Sequence, residues 1–212
     1  MIKVENITYQ YPDACARVIS GFSACFEGGE ITAVRGRNGC GKTTLSKLMV
    51  GILRPAEGRV LIDGADIRSQ DLFEIGQKAG YVFQNPNSQL FCDTVYNEVA
   101  YGLINQGLDN ALISEKAGYY LGYFGLSQHR DDYPGNLSLG EKQRLALAAV
   151  LALGTDYLVL DEPTTGLDIY RRRELGGILC KLRQDTGCGI VLISHEPDFI
   201  AKFSDRELVM PL

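Results

Sequence analysis

The stretch Gly36-Arg37-Asn38-Gly39-Cys40-Gly41-Lys42-Thr43 constrains this chain more than any other part of it. It fits the pattern G-x-x-x-x-G-K-[ST], and its flanks give that pattern a mechanical meaning. Ile31-Thr32-Ala33-Val34 before it is a short apolar, β-branched run that predicts a strand, and Thr44 to Val50 after it predicts a helix. Strand, glycine loop and helix together aim backbone N–H groups and a helix N-terminus at a polyphosphate. Glycines at 36, 39 and 41 let the backbone approach the phosphates closely, and Cys40 is a small residue that a tight loop accommodates. In such a loop Lys42 neutralises the β and γ oxygens, and the Thr43 hydroxyl holds Mg²⁺.

Two further apolar runs also end in polar chemistry. Tyr157-Leu158-Val159-Leu160 ends at Asp161-Glu162-Pro163, and Ile190-Val191-Leu192-Ile193 ends at Ser194-His195. Uninterrupted apolar strands belong in a parallel sheet covered on both faces. Ligands of such sheets sit outside the carboxyl ends of the strands, so all three polar sets are expected at one edge, around one nucleotide. Asp161 is then expected to act on Mg²⁺ through its water shell. Glu162 is expected to serve as general base toward an attacking water, and His195 to contact the γ-phosphate. Gln84, after Tyr81-Val82-Phe83, is a candidate to offer a neutral oxygen to the metal or the water.

A second anion-binding element is Leu137-Ser138-Leu139-Gly140-Glu141, ahead of an apolar helix. Ser138 with Glu141 three residues on predicts a capping box. A helix N-terminus bearing a serine and a glycine also offers N–H donors to phosphate. Its distance along the chain from the first loop suggests that it serves a nucleotide held by a second subunit.

The bulk properties narrow the partners. A net charge of −5 over 212 residues gives no electrostatic footprint for nucleic acid. The one dense basic spot, Arg171-Arg172-Arg173, falls on a predicted helix and reads as a solvated or ion-paired face. The longest apolar run, Leu145 to Leu153, is far short of the ~20 residues a membrane span needs. No secretory leader precedes the first strand, so a protein soluble by itself, able to sit against a membrane partner, is expected. The six cysteines include no C-x-x-C pair and are expected as free thiols; an oxidation-sensitive role for Cys40 stays open.

Short strands are expected over Lys3 to Tyr9, Val18 to Phe26 and Arg59 to Ile62, forming an antiparallel layer beside the nucleotide core. From about Pro86 to Leu153 the pattern turns helical, over Thr94 to Ile104, Leu112 to Phe124 and Gly140 to Leu153. The tail returns to strand Leu158-Val159-Leu160, helix Ile169 to Arg183, strand Ile190 to Ile193 and a last strand near Leu208. The expected architecture is α/β: a phosphate-loop core with a mixed, mainly parallel sheet, an N-terminal antiparallel β layer and an inserted helical subdomain. A single domain over 1–212 is expected, with 1–85 and 154–212 forming the core and β layer and 86–153 the helical insertion.

In this order, the motifs resemble the nucleotide-binding domain of ATP-binding-cassette (ABC) proteins over essentially the whole chain. Gly36 to Thr44 resembles Walker A, with Asn38 and Cys40 inside it. Gln84 resembles the Q-loop glutamine, Leu137 to Glu141 the signature LSGGQ, Leu158 to Glu162 Walker B with its catalytic glutamate, Gly166-Leu167-Asp168 the D-loop, and His195 the switch histidine. Tyr11, about 25 residues ahead of the loop, is similar in position to the aromatic residue that stacks on adenine. The resemblance implies ATP and Mg²⁺ as ligands. It also implies two cassettes that sandwich ATP between one subunit's Walker elements and the other's signature, to which Ser138, Gly140, Glu141 and Asp168 contribute.

A narrower resemblance lies in Val82 to Phe91, Thr94-Val95 and Glu98-Val99-Ala100-Tyr101-Gly102, which look like the ATPases of energy-coupling factor (ECF) transporters. That family implies uptake of a vitamin or transition-metal ion. It implies a second ATPase subunit, identical or different, a transmembrane coupling protein and a membrane component that captures substrate. The cassette would then be cytoplasmic and peripheral on the inner face of the membrane. Two departures stand out. The signature reads LSLGE, so Leu139 replaces a glycine and Glu141 places a negative charge near an anion. The sequence also stops soon after its last core strand, where many such ATPases continue into C-terminal helices. Two alternatives remain: a regulatory ATP-binding partner cassette with weak hydrolysis of its own, or a soluble ABC ATPase outside transport.

Overall fold

In the computed structural model, which describes residues 1–211, parallel and antiparallel pairings are segregated into two sheets. Strands β1 (Ile2–Tyr9), β2 (Ile19–Phe26), β4 (Glu57–Ile62) and β5 (Ala65–Asp66) form an antiparallel sheet in the order β2-β1-β4-β5. Strands β3 (Ile31–Arg35), β6 (Ala79–Val82), β7 (Tyr157–Asp161), β8 (Gly189–Ile193) and β9 (Arg206–Val209) form a parallel sheet in the order β6-β7-β8-β3-β9.

Strand parity explains why β7 and β8 are apolar throughout. Leu158, Leu160, Ile190 and Leu192 face one hydrophobic core, shared with helices α3 (Val95–Asn105), α4 (Asn110–Tyr123), α5 (Leu139–Leu151) and α6 (Ile169–Thr186). Tyr157, Val159, Val191 and Ile193 face a second core, built with helix α1 (Lys42–Met49) and the antiparallel sheet. The parallel sheet is therefore the middle layer, buried on both faces, and its exits carry the polar chemistry. Between β6 and β7 the chain forms α3, α4 and α5 and no strand.

Local signals set the helix starts. Ser138 caps α5 and Glu141 closes the predicted capping box, while Asp168 caps α6 by accepting from the amides of Tyr170 and Arg171. The basic triplet lies on α6, where Arg171 pairs with Asp168 and Arg172 with Glu196. The sequence reading passes over two short helices, α2 (Leu72–Lys78) and α7 (Pro197–Phe203). Among the described residues no helix is long and apolar enough to cross a membrane.

Candidate functional site

A cavity of about 570 Å³ opens at the carboxyl ends of the parallel strands. Tyr11, Asn38, Gly39, Gly41, Lys42, Thr43, Thr44, Gln84, Glu162 and His195 all contribute to its wall. The exits of β3, β6, β7 and β8 thus meet at one place.

The loop geometry follows from its small residues. Gly41 caps α1 with φ of 95°, and a Cβ there would lie 3.1 Å from the carbonyl oxygen of Val18. A Cβ on Gly36 would lie 2.6 Å from Sγ of Cys40, so these two positions are sized for one another. The nearly buried Lys42 ammonium donates to the carbonyls of Gly36 (2.8 Å) and Arg37 (3.2 Å), which holds it inside the curl of the loop. Of its three donors, one remains for a ligand.

Asp161 is buried at the end of β7. Its Oδ1 accepts from the Thr43 hydroxyl at 3.1 Å and its Oδ2 from the Tyr81 hydroxyl at 3.1 Å. Burial, and the neighbouring Asp161 charge, push the Tyr81 phenol well above its ordinary value, so it stays a proton donor throughout the physiological range. Thr43 and Gln84 line the cavity, and buried Asp161 lies behind Thr43, bonded to its hydroxyl; hard oxygen donors of this kind suit Mg²⁺.

Glu162 is buried, yet its backbone takes φ of 48°. A non-glycine residue in the left-handed region stores strain on the order of 1–3 kcal/mol, which persists only where surrounding structure enforces it. Here the Glu162 amide donates to the carbonyl of Ile193 at 2.9 Å, pinning the turn to β8. The same turn brings Oε2 of Glu162 within 2.7 Å of Nδ1 of the half-exposed His195. A carboxylate accepts only, so Nδ1 carries the hydrogen. This contact was not foreseen from sequence, which aims His195 at phosphate.

Tyr11 stands at the cavity mouth with its hydroxyl 3.2 Å from Oγ1 of Thr44 and its ring edge-to-face on Tyr9. Ser138, Gly140 and Glu141 lie elsewhere. They line a separate cavity with Arg144, Leu167 and Arg171, and Asp168 sits beside it as the cap of α6. The two groups of predicted residues therefore line two separate cavities of one chain. Glu141 Oε2 accepts from both the amide (2.8 Å) and the hydroxyl (2.6 Å) of Ser138, while Oε1 lies 3.4 Å from Nε2 of His129. The Ser138 bonds hold the Glu141 carboxyl below its ordinary value of 4.5. Its capping contribution is thus complete above that value and lost as pH falls through the lower, folded one.

A glycine loop at a helix N-terminus, followed by a buried strand-end aspartate bonded to the loop's own threonine, defines a phosphate-loop nucleotide-binding protein. The ABC transporter family model matches residues 19–165, and the chain belongs to that family: it is an ABC ATPase. It is 41% identical over 212 residues to the energy-coupling factor transporter ATP-binding protein EcfA of Methanothermobacter thermautotrophicus, covering 99% of this chain and 68% of that protein. It spans 34% of the length of a putative ABC transporter ATP-binding protein of Methanosarcina acetivorans (39% identical) and 80% of one of Pyrococcus abyssi (40% identical), with 99% of this chain covered in both. Among solved structures, cbiO1 from Clostridium perfringens, part of the ABC transporter complex cbiONQ, superposes with a TM-score of 0.90 at 34% identity, covering 99% of this chain and 84% of that one. A dimeric ATP-binding cassette in a post-hydrolysis state, bound to ADP and Pi, gives 0.86 at 26% identity, with 99% and 94% covered.

Proposed function

We propose that this chain is the ATP-hydrolysing subunit of an ECF-type uptake transporter for a vitamin or a transition-metal ion. One observation carries the hydrolytic part: Lys42, Thr43, Gln84, Glu162 and His195 converge on a single cavity at the strand ends. In this reading Tyr11 stacks on the adenine, and Gly36, Asn38, Gly39, Cys40, Gly41, Thr43 and Thr44 surround the phosphates. Lys42 neutralises the β and γ oxygens. Glu162 takes a proton from the attacking water, and His195 holds the Glu162 carboxylate in register. Mg²⁺, bound through Thr43, Asp161 and Gln84, would neutralise the charge developing on the phosphate oxygens.

The separation of the Ser138 half-site from the loop supports a two-cassette assembly in which each signature faces the other subunit's nucleotide. The dimeric cassette among the similar structures supports the same reading. Glu141 then stands near a partner-held triphosphate, where like charges several ångströms apart repel by about 1 kcal/mol under surface screening. Glu141→Gln keeps an acceptor for the cap and removes the charge. Because both composite sites of a dimer lose the charge, the expected result is ATP-driven dimerisation of this chain tightened by about 30-fold, about fivefold per site, read by sedimentation in a hydrolysis-deficient background. A looser dimer would mean that the carboxylate assists assembly.

The same charge favours a second reading, a regulatory cassette that completes a partner's site while turning over slowly. ATPase rates of this chain alone and with a partner cassette separate the two.

Transport is supported by the likeness to EcfA and cbiO1 and by an exposed aromatic pair after Gln84. Phe91 and Tyr101 are 66% and 47% exposed and pack edge-to-face at 4.9 Å, with Ile104 also exposed on α3. Buried Glu98 accepts from the amides of Phe91 and Cys92 and so fixes this segment. An apolar step held this firmly suits the helices of a membrane coupling protein. The cassette then lies on the cytoplasmic face of the membrane. Pull-down from detergent-solubilised membranes is expected to recover a transmembrane coupling protein and a substrate-capture component. Recovery of soluble partners alone would remove the transport reading.

A further inference from the structure

Tyr81 is missing from the set of residues that the motifs single out, yet it grips the carboxylate at the centre of the site. In the parallel register Tyr81 of β6 pairs with Val159 of β7 and Val82 with Leu160, so Tyr81 shares a sheet face with Val159 and Asp161. Two residues along a strand is about 6.6 Å, a span that the long phenol side chain crosses and a short one does not. Its hydroxyl ends 3.1 Å from Oδ2 of Asp161 and 3.2 Å from Oγ of Ser46 on α1. The hydrogens can be assigned. Ser46 donates to the carbonyl of Thr43 at 2.8 Å and Thr43 donates to Oδ1 of Asp161, which leaves the Tyr81 proton for Oδ2. Each carboxylate oxygen thus has one hydroxyl donor, from the loop on one side and from β6 on the other.

We propose that Tyr81 is a positioning residue: by pinning Oδ2 of Asp161 it turns Oδ1 toward the Thr43 hydroxyl, where a nucleotide-bound divalent cation is held. The inference rests on the Mg²⁺ site proposed above. Core packing alone does not account for the hydroxyl. The Tyr81 ring already packs edge-to-face on Phe83 at 5.0 Å, and a phenylalanine would keep that contact. A partner that orients a metal-facing carboxylate is worth 10- to 100-fold in metal affinity.

The test compares wild type, Tyr81→Phe and Ser46→Ala as full-length chains. Calorimetry gives ATP affinity in EDTA and in excess Mg²⁺, and electron paramagnetic resonance follows Mn²⁺ uptake by the nucleotide-loaded protein. In wild type the cation is expected to tighten ATP binding. In Tyr81→Phe that tightening is expected to fall by about tenfold or more, with cation-free affinity unchanged and Mn²⁺ bound more weakly. Ser46→Ala, which leaves the Tyr81–Asp161 bond in place, is expected to keep the tightening. Should Tyr81→Phe not melt cooperatively, Tyr81→Met fills the space without a hydroxyl and is expected to show the same loss. Full tightening in the hydroxyl-free variant overturns the inference, as does an equal loss with and without the cation. A wild-type protein whose ATP affinity ignores Mg²⁺ removes the metal site itself, and the role of Tyr81 with it.

Discussion

Glu162→Gln is expected to lower ATP turnover by about 10²- to 10⁴-fold, the range a positioned general base supplies, while ATP still binds. The amide keeps the shape of the side chain and an oxygen able to accept from Nδ1 of His195, at 2.7 Å in the native pair. It cannot take a proton from water. Because the left-handed backbone at Glu162 is held by the bond from its amide to Ile193, the substitution leaves the turn in place, and the change is confined to proton transfer. Single-turnover hydrolysis measured beside equilibrium ATP binding separates the two effects. Turnover near the wild-type rate would take the base away from Glu162 and leave the strained turn without a catalytic reason.

Lys42→Ala acts at the earlier step. The nearly buried ammonium is held by the Gly36 and Arg37 carbonyls, pre-set inside the loop rather than ordered by the ligand. A hydrogen bond to a charged group is worth about 1.5–3 kcal/mol, so ATP affinity is expected to fall by about 10- to 100-fold. Loss of the two carbonyl contacts also leaves the loop less defined, which adds to the effect. Equilibrium titration reads this directly, and unchanged affinity would place Lys42 outside the phosphate site.

Much of this arrangement is legible in the sequence. The apolar runs at β3, β7 and β8 dictated a buried parallel sheet, and the polar residues after each run had to emerge at one edge. The capping box at Ser138 and Glu141 fixed where α5 begins. Other features lay beyond linear reading for identifiable reasons. Helices α2 and α7 have seven residues each, too few for a helical period to show. Their signals were local: an Asp71–Glu74 capping box and a proline at the start of α7. Nothing in the sequence marks Glu162 as left-handed, because that conformation favours glycine, asparagine and aspartate and not glutamate. Tyr81 reaches Asp161 only through the β6–β7 register, which a single sequence does not encode at any one position. The contact between Glu162 and His195 likewise depends on the order in which β7 and β8 lie side by side.

The most direct measurement is a calorimetric titration of ATP with Mg²⁺ into the Glu162→Gln chain, where hydrolysis does not contaminate the heat. The predicted result is a saturable isotherm with one nucleotide per chain, weakened at least about tenfold when Lys42→Ala is added. A correctly folded chain that gives no binding heat, or that binds equally well without Lys42, would contradict the assignment of this cavity to the triphosphate.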